Sequence, residues 1–200
     1  LVLTPPGGEP RRLNDLKPNR ITEQGLARTF QNIRLFKSMT VLDNAMIGRH
    51  CRTRTGILGA VCRGPRTRRE EQEIVGTSLA LLERTGLADQ ADEVAASLPY
   101  GAQRRLEIAR ALATEPLLLL LDEPAAGMNP QETAELIELI IAIRADGLSI
   151  LLIEHDMKLV MNISDRIYVM EYGKEIAQGT PQQIKENPKV IEAYLGEEAH

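Results

Sequence analysis

Only two cysteines occur, Cys51 and Cys62, with no metal-type spacing and no partner cluster. That excludes a disulfide framework and a cysteine-built metal centre, and both read as free thiols of a reducing compartment. No apolar run approaches the length needed to cross a bilayer, and the first residues carry no secretory leader pattern. Basic charge is not in excess. The formal net charge is −4, which argues against a nucleic-acid binder working by bulk electrostatics. Internal repeats and low-complexity tracts are absent too. What is present is a chain of 200 residues with 43% hydrophobic and 26% charged residues, ample for one folded domain with a subdomain.

The opening stretch, "LVLTPPGGEPRRLNDLKPNR", is rich in Pro, Gly and Arg and has no period, so it reads as turns. It is followed by a segment suited to a strand around Leu26–Phe30. The region from Val41 to Leu112 reads as mostly helical. Within it Val75, Leu79 and Leu82 recur at helical spacing, and Gly86 is placed to close the helix. Seven arginines fall between Arg49 and Arg69, which reads as a solvated face or loop. A surface docking on anionic lipid or a partner is the sharper alternative.

After residue 112 the pattern alternates. Leu117–Leu121 is a continuous apolar run, expected to be a strand buried on both faces of a parallel sheet. A helix follows with Leu136, Ile137, Ile140 and Ile141 on one face. Asn129 suits its N-cap, Pro130 its first position and Glu132 a capping box, and Gly147 ends it. Ser149–Ile153 reads as a second buried strand. The stretch "RIYVMEYGKEIAQG" reads as a hairpin turning near Tyr172-Gly173. Strand, helix and strand in that order predict parallel α/β units finished by antiparallel strands.

In open α/β sheets, ligands bind beyond the carboxyl ends of the strands. Two such ends carry polar groups here: Asp122-Glu123 after the leucines, and Glu154-His155-Asp156 after "LLI". A charge at the rim of an apolar core needs a cation or a helix end nearby. Taken singly, each group also has an ordinary reading. Asp122-Glu123 would serve equally as a helix cap, His155 as a hydrogen-bonded structural residue and Asp156 as a cap of the next helix. "ASLPYGAQRRLEIARAL" adds a Pro-Tyr-Gly turn before a helix expected from Ala102 to about Thr114. Its first N–H groups would form an anion site, although a plain helix start explains the same residues.

Order and spacing bring these pieces together. Gln31 in "RTFQN", then "LPYGAQRRLEIARAL", "LLLLLDEPAAGMNP" and "LLIEHD" follow one another in a single chain. The sequence resembles the ATP-binding subunit of an ABC transporter, from about Leu16 to the C-terminus. "ARTFQNIRLFKSMTVLDNAMIG", "AAGMNP" and "GTPQQIKENPKVIEAYLGEE" look most like the branched-chain amino acid uptake branch, with the lipopolysaccharide-export branch as runner-up.

The resemblance implies a P-loop NTPase-type α/β fold, with 1–36 and 113–200 as the ATPase core and 37–112 as an inserted helical subdomain. It implies ATP and Mg2+ as ligands. Asp122 stands where the family holds the metal, with Gln31 touching metal or water and linking the core to the helical part. Glu123 stands where the attacking water is polarised, and His155 where the γ-phosphate is sensed. Leu98, Pro99, Tyr100, Gly101 and Ala102 occupy the place of the signature loop, Pro99 replacing the usual serine and Ala102 the usual glutamine. Ala126–Asn129 match the loop that faces a second ATPase subunit. The implied partners are that second subunit, transmembrane permease subunits and, indirectly, a solute-binding protein, with no nucleic acid. The implied location is the cytoplasmic face of the membrane. One element is missing: the 200 residues contain no G-x-x-x-x-G-K-[ST] loop, and Gly173-Lys174 lacks its context. The expectation is an ATPase domain incomplete at its N-terminus. A non-catalytic interaction module is the other class of reading.

Overall fold

The computed structural model describes residues 1–5, 7–53 and 64–197. Cys62, and Arg54 and Arg63 of the arginine run, lie outside the described residues. The chain divides into two units, Leu1–Ile153 and Glu154–His200.

The first unit opens with β1 (Val2–Leu3) paired antiparallel to β2 (Arg11–Arg12). This ribbon corrects the expectation of a patternless start. Leu13 is buried and ties its amide to the Leu1 carbonyl, so one apolar side chain anchors the turns. After α1 (Pro18–Glu23) comes β3 (Leu26–Arg28). Helices α2 (Val41–Arg49), α3 (Pro65–Arg84) and α4 (Tyr100–Leu112) follow. Then come β4 (Leu118–Asp122), α5 (Pro130–Ala145) and β5 (Ser149–Ile153).

The three longer strands form a parallel sheet in the order β3-β4-β5, with Arg28 opposite Leu120 and Asp122 opposite Ile153. The leucine run is less buried than its composition predicts. Leu119 and Leu121 are fully buried, whereas Leu118, Leu120 and Asp122 are half-buried. A strand sends alternate side chains to opposite faces, and here only one face meets a dense core. The same alternation leaves Leu151 and Ile153 of β5 about half exposed.

The helical region has its own core. Val41 and Ala45 of α2, Leu82 of α3 and Leu106 of α4 are all fully buried in one cluster. Thr40 caps α2 in a reciprocal capping box with Asp43. Gly48 lets α2 lie against α4: a Cβ there would sit 2.2 Å from the Arg110 carbonyl oxygen. Leu79 is exposed rather than part of the packed face, while Leu82 is buried as expected. Gly86, at φ +67°, closes α3 in the left-handed region.

Two further expectations need correction. On α5 the buried residues are Leu136, Leu139, Ile140 and Ile143, and Ile141 is exposed. The i, i+3, i+4, i+7 set is the true face of a 3.6-residue helix, and Ile141 falls off it. The arginine run is not wholly a solvated face either. Arg49 is buried in an ion pair with Glu115, and Arg52 donates to the carbonyls of Thr114 and Glu115 at 2.8 and 3.1 Å. Both cations sit beside the end of α4, where carbonyls lack intrahelical partners. The α5 capping box of Asn129 and Glu132, with Pro130 at the first position, forms as read, and Gly147 follows at φ +88°.

The second unit contains α6 (Met157–Ile163), a hairpin of β6 (Ile167–Glu171) and β7 (Lys174–Gly179), α7 (Pro181–Lys185) and α8 (Pro188–Glu197). Tyr172 and Gly173, at φ 46° and 76°, make the two-residue turn. Ile167, Ala177, Ile184 and Val190 form a small core of their own.

Candidate functional site

The β4 strand ends in Asp122, and its register places that carboxylate diagonally across from Arg28 on the same sheet face. Arg28 Nη2 donates to Asp122 Oδ2 at 2.7 Å. The cation that a charge at the end of a leucine strand demands is therefore supplied by the neighbouring strand. The resemblance, which puts a metal at Asp122, did not single out Arg28. Its signal was present, because a strand pairing in parallel with the leucines carries Arg28 just before the Thr29-Phe30-Gln31 segment. The Arg28 guanidinium also lies 5.3 Å from the Phe30 ring centre.

Glu123 leaves the strand with φ 43°, a left-handed backbone uncommon for a residue with a Cβ. Its N–H still donates to the Ile153 carbonyl at 2.9 Å, continuing the ladder. The chain then turns sharply, with Ala126 N–H donating to Glu123 O at 3.2 Å. The turn swings the Glu123 carboxylate toward the segment after β3. There Gln31 Nε2 donates to Glu123 Oε2 at 2.6 Å. Two residues far apart in sequence thus meet at the carboxyl end of the sheet.

The proposed signature residues surround the start of α4. Leu98 is buried, and Pro99 is the N-cap position. The helix begins at Tyr100, two residues before the expected Ala102, so Tyr100 and Gly101 belong to its first turn. The correction follows from Pro99, whose fixed φ suits the approach to a helix and whose ring cannot continue one backwards. Gly101 N–H donates to Glu132 Oε1 at 3.2 Å, while Glu132 Oε2 accepts from Asn129 N–H at 3.0 Å. The anion at this helix start is thus one of the chain's own carboxylates. A Cβ at Gly101 would lie 2.8 Å from Glu132 Oε1, so a side chain there would displace the Glu132 carboxylate from this helix start. Ala102 is buried in the helix-core cluster. Tyr100 Oη donates to the Ala126 carbonyl at 3.0 Å, tying the helix start to the turn that opens the Ala126–Asn129 stretch.

Arg104 and Glu107, one helical turn apart, were not singled out from the sequence. Both are buried and ion-paired at 3.0 Å. Arg104 and Ile108, at i and i+4, lie on the buried side of α4, which was the legible signal. Burial pulls the neighbouring Arg110 guanidinium below its ordinary value, and Glu107 offsets this. Burial likewise pushes the Cys51 thiol up, against the pull of Arg52.

His155 and Asp156 belong to the second unit. His155 is exposed at its start, and the Asp156 side chain caps α6 by accepting from Lys158 and Leu159 N–H at 2.8 and 3.2 Å. The capping alternative for Asp156 is the one realised.

As a donor set for a magnesium ion, Asp122 offers a carboxylate and Gln31 an amide oxygen, its Nε2 being turned to Glu123. Hard oxygen donors, few in number, suit an ion that keeps several waters and is otherwise held by substrate phosphates. Among the described residues no cluster of three or more His, Cys, Asp or Glu forms a self-sufficient metal cage. No helix among them is long and apolar enough to cross a membrane.

Residues 6–126 match the family described as "ABC transporter", which starts earlier than the resemblance around Leu16. Residues 174–200 match one described as "Branched-chain amino acid ATP-binding cassette transporter". The high-affinity branched-chain amino acid transport ATP-binding protein LivG of Escherichia coli is 50% identical over 188 residues, covering 94% of this chain and 74% of that protein. BraF of Pseudomonas aeruginosa, of the same description, is 48% identical over 186 residues, covering 92% and 73%. Among solved structures, the ADP conformation of an ATP-binding cassette of an ABC transporter superposes with a TM-score of 0.76. It is 32% identical, covering 94% of this chain and 74% of that one.

Proposed function

The chain belongs to the ABC transporter ATP-binding family, and on that premise we propose that it is the ATPase subunit of an importer for branched-chain amino acids. The family binds and hydrolyses ATP and works with transmembrane permease components. The observation that carries the residue-level reading is the Gln31–Glu123 hydrogen bond at the carboxyl end of β4. It holds an acid and an amide where an α/β sheet receives its ligand.

In this reading Glu123 accepts the proton of the water that attacks the γ-phosphate, a general-base role. Gln31 fixes the carboxylate by donating to one oxygen, which leaves lone pairs of the carboxylate to orient that water. Asp122, with the Gln31 amide oxygen, would hold magnesium, which when bound supplies positive charge to the phosphate oxygens. To do so Asp122 must exchange its Arg28 partner for the metal. His155 would act on the γ-phosphate. Leu98–Ala102 would face the nucleotide of a second ATPase subunit, with Glu132 turned away from Gly101. The division into a core of 1–36 with 113–200 and a helical part of 37–112 belongs to the same proposal. So do the peripheral position on the cytoplasmic face of the membrane and the indirect dependence on a solute-binding protein.

The match of residues 174–200 supports the amino acid branch over the lipopolysaccharide-export branch. Because the 200 residues hold no G-x-x-x-x-G-K-[ST] sequence, nucleotide experiments require a chain in which a segment carrying that loop is joined ahead of Leu1. The physiological test is deletion of the gene in its own organism. Loss of ATP-driven leucine, isoleucine and valine uptake supports the proposal. Unchanged uptake with impaired lipopolysaccharide export overturns it.

A further inference from the structure

Arg104 is 0% exposed and Glu107 1%, on a helix whose other buried residues are mostly small or aliphatic. A buried ion pair contributes little net stability compared with apolar side chains of the same volume, so the core alone gives no reason for it. The reason lies in what the pair touches. Arg104 Nη1 donates to the Phe30 carbonyl at 2.6 Å, and Nη2 donates to the Gln31 carbonyl at 2.7 Å. Glu107 Oε1 accepts from the Arg34 backbone N–H at 3.2 Å. The pair therefore grips both sides of the irregular segment that carries Gln31, taking its carbonyls with the cation and its amide with the anion. A guanidinium can do this because its donors form a rigid fork.

The contacts continue into a closed ring. Arg104 Nη2 also donates to Tyr100 Oη at 3.3 Å, and Tyr100 Oη donates to the Ala126 carbonyl. Ala126 N–H donates to the Glu123 carbonyl, and the Glu123 side chain accepts from Gln31. Gln31 and Glu123 are thus joined twice: directly by their side chains, and through their backbones by way of Arg104, Tyr100 and Ala126.

We propose that Arg104 and Tyr100, supported by Glu107 through its bonds to Arg104 and the Arg34 amide, are positioning residues whose ring of hydrogen bonds holds Gln31 against Glu123. None of them needs to touch the reacting atoms. They set the backbone from which both reacting side chains project, and a link between the start of α4 and the Gln31 segment makes movement of one felt by the other. The functional weight of this ring rests on the reading that Gln31 and Glu123 serve hydrolysis. The ring itself is a matter of geometry and is testable without nucleotide.

The experiment uses the 200-residue chain, isotopically labelled, with Tyr100→Phe and Arg104→Lys. Tyr100 is substantially exposed, so loss of its hydroxyl leaves the ring face and the fold in place. Lysine keeps the charge beside Glu107 but cannot span both carbonyls and Tyr100. Amide hydrogen exchange is read at Arg34 and Ala126, together with the side-chain NH2 signal of Gln31. The expected result is exchange about tenfold faster at both amides in each variant. The Gln31 signal should move toward its position in Glu123→Ala, while Leu106 in the helix core exchanges as before. A merely structural Tyr100 would loosen Ala126 alone. If Arg34 exchange and the Gln31 signal stay at their unsubstituted values in Tyr100→Phe, the ring does not position Gln31 and the proposal falls. Should Arg104→Lys fail to fold, Tyr100→Phe decides. Failure of the hydrolytic reading would instead appear as normal turnover in Glu123→Gln, with the ring intact.

Discussion

Arg28 and Asp122 sit on adjacent parallel strands with Nη2 and Oδ2 2.7 Å apart, so the carboxylate expected to hold magnesium is already met by a guanidinium. Arg28 is about half exposed, and exposed pairs contribute roughly 0–1 kcal/mol. Arg28→Ala should therefore change the urea midpoint little. In the chain extended with a phosphate-binding loop it should lower the magnesium concentration for half-maximal nucleotide binding. The shift should be about fivefold or less, the factor that ~1 kcal/mol converts to. A raised magnesium requirement would mean that Arg28 assists the metal rather than competing with it.

Removing one partner of the Arg104–Glu107 pair leaves a buried charge, at a cost of about 3–5 kcal/mol. Arg104→Met should lose close to that in urea unfolding, moderated by Arg110, whose Nη2 is 3.8 Å from Glu107. Arg104→Met with Glu107→Leu should recover part of the loss but not all of it. The carbonyls of Phe30 and Gln31 and the Arg34 amide would remain without these partners, at roughly 1–3 kcal/mol for each group left unsatisfied. A single substitution costing less than ~1 kcal/mol would show that water reaches the pair.

The contact of α2 with α4 turns on Gly48. Alanine is the better helix former by ~1 kcal/mol, which by itself predicts stabilisation by Gly48→Ala. The new Cβ, however, would lie 2.2 Å from a backbone oxygen and 2.7 Å from the Ala113 Cβ. Overpacking of this kind costs about 1–3 kcal/mol or more, and backbone cannot swing aside as a side chain can. Thermal melting should therefore show a net loss. An unchanged or higher melting temperature would contradict this helix crossing.

Much of this architecture was legible because local rules decide it. The α5 capping box, the Tyr172-Gly173 turn and the bounds of β5 all follow from residues within one turn of each other. The errors have a common cause in tertiary context. Leu151 and Ile153 look like core residues, but burial depends on what lies across the sheet face, which no strand encodes for itself. Arg49 looked solvated because its partner, Glu115, lies far along the chain. For the site, the motifs gave Gln31, Asp122 and Glu123 by resemblance. Arg28 and the second role of Glu132 came from register and packing, and for Arg104 a charge on an apolar helix face was the overlooked sign.

The central claim, that Glu123 is the general base of an ATPase, is tested most directly by phosphate release from bound ATP in a single turnover. The chain extended with a phosphate-binding loop is compared with its Glu123→Gln variant. Glutamine keeps the size of the side chain and its capacity to accept from Gln31, but it cannot take a proton. General-base contributions run about 10²–10⁴-fold, so the variant should retain ATP and release phosphate at least about a hundredfold more slowly. Release at a rate close to that of the unsubstituted chain would remove Glu123 from the chemistry and leave Asp122-Glu123 as a structural strand end.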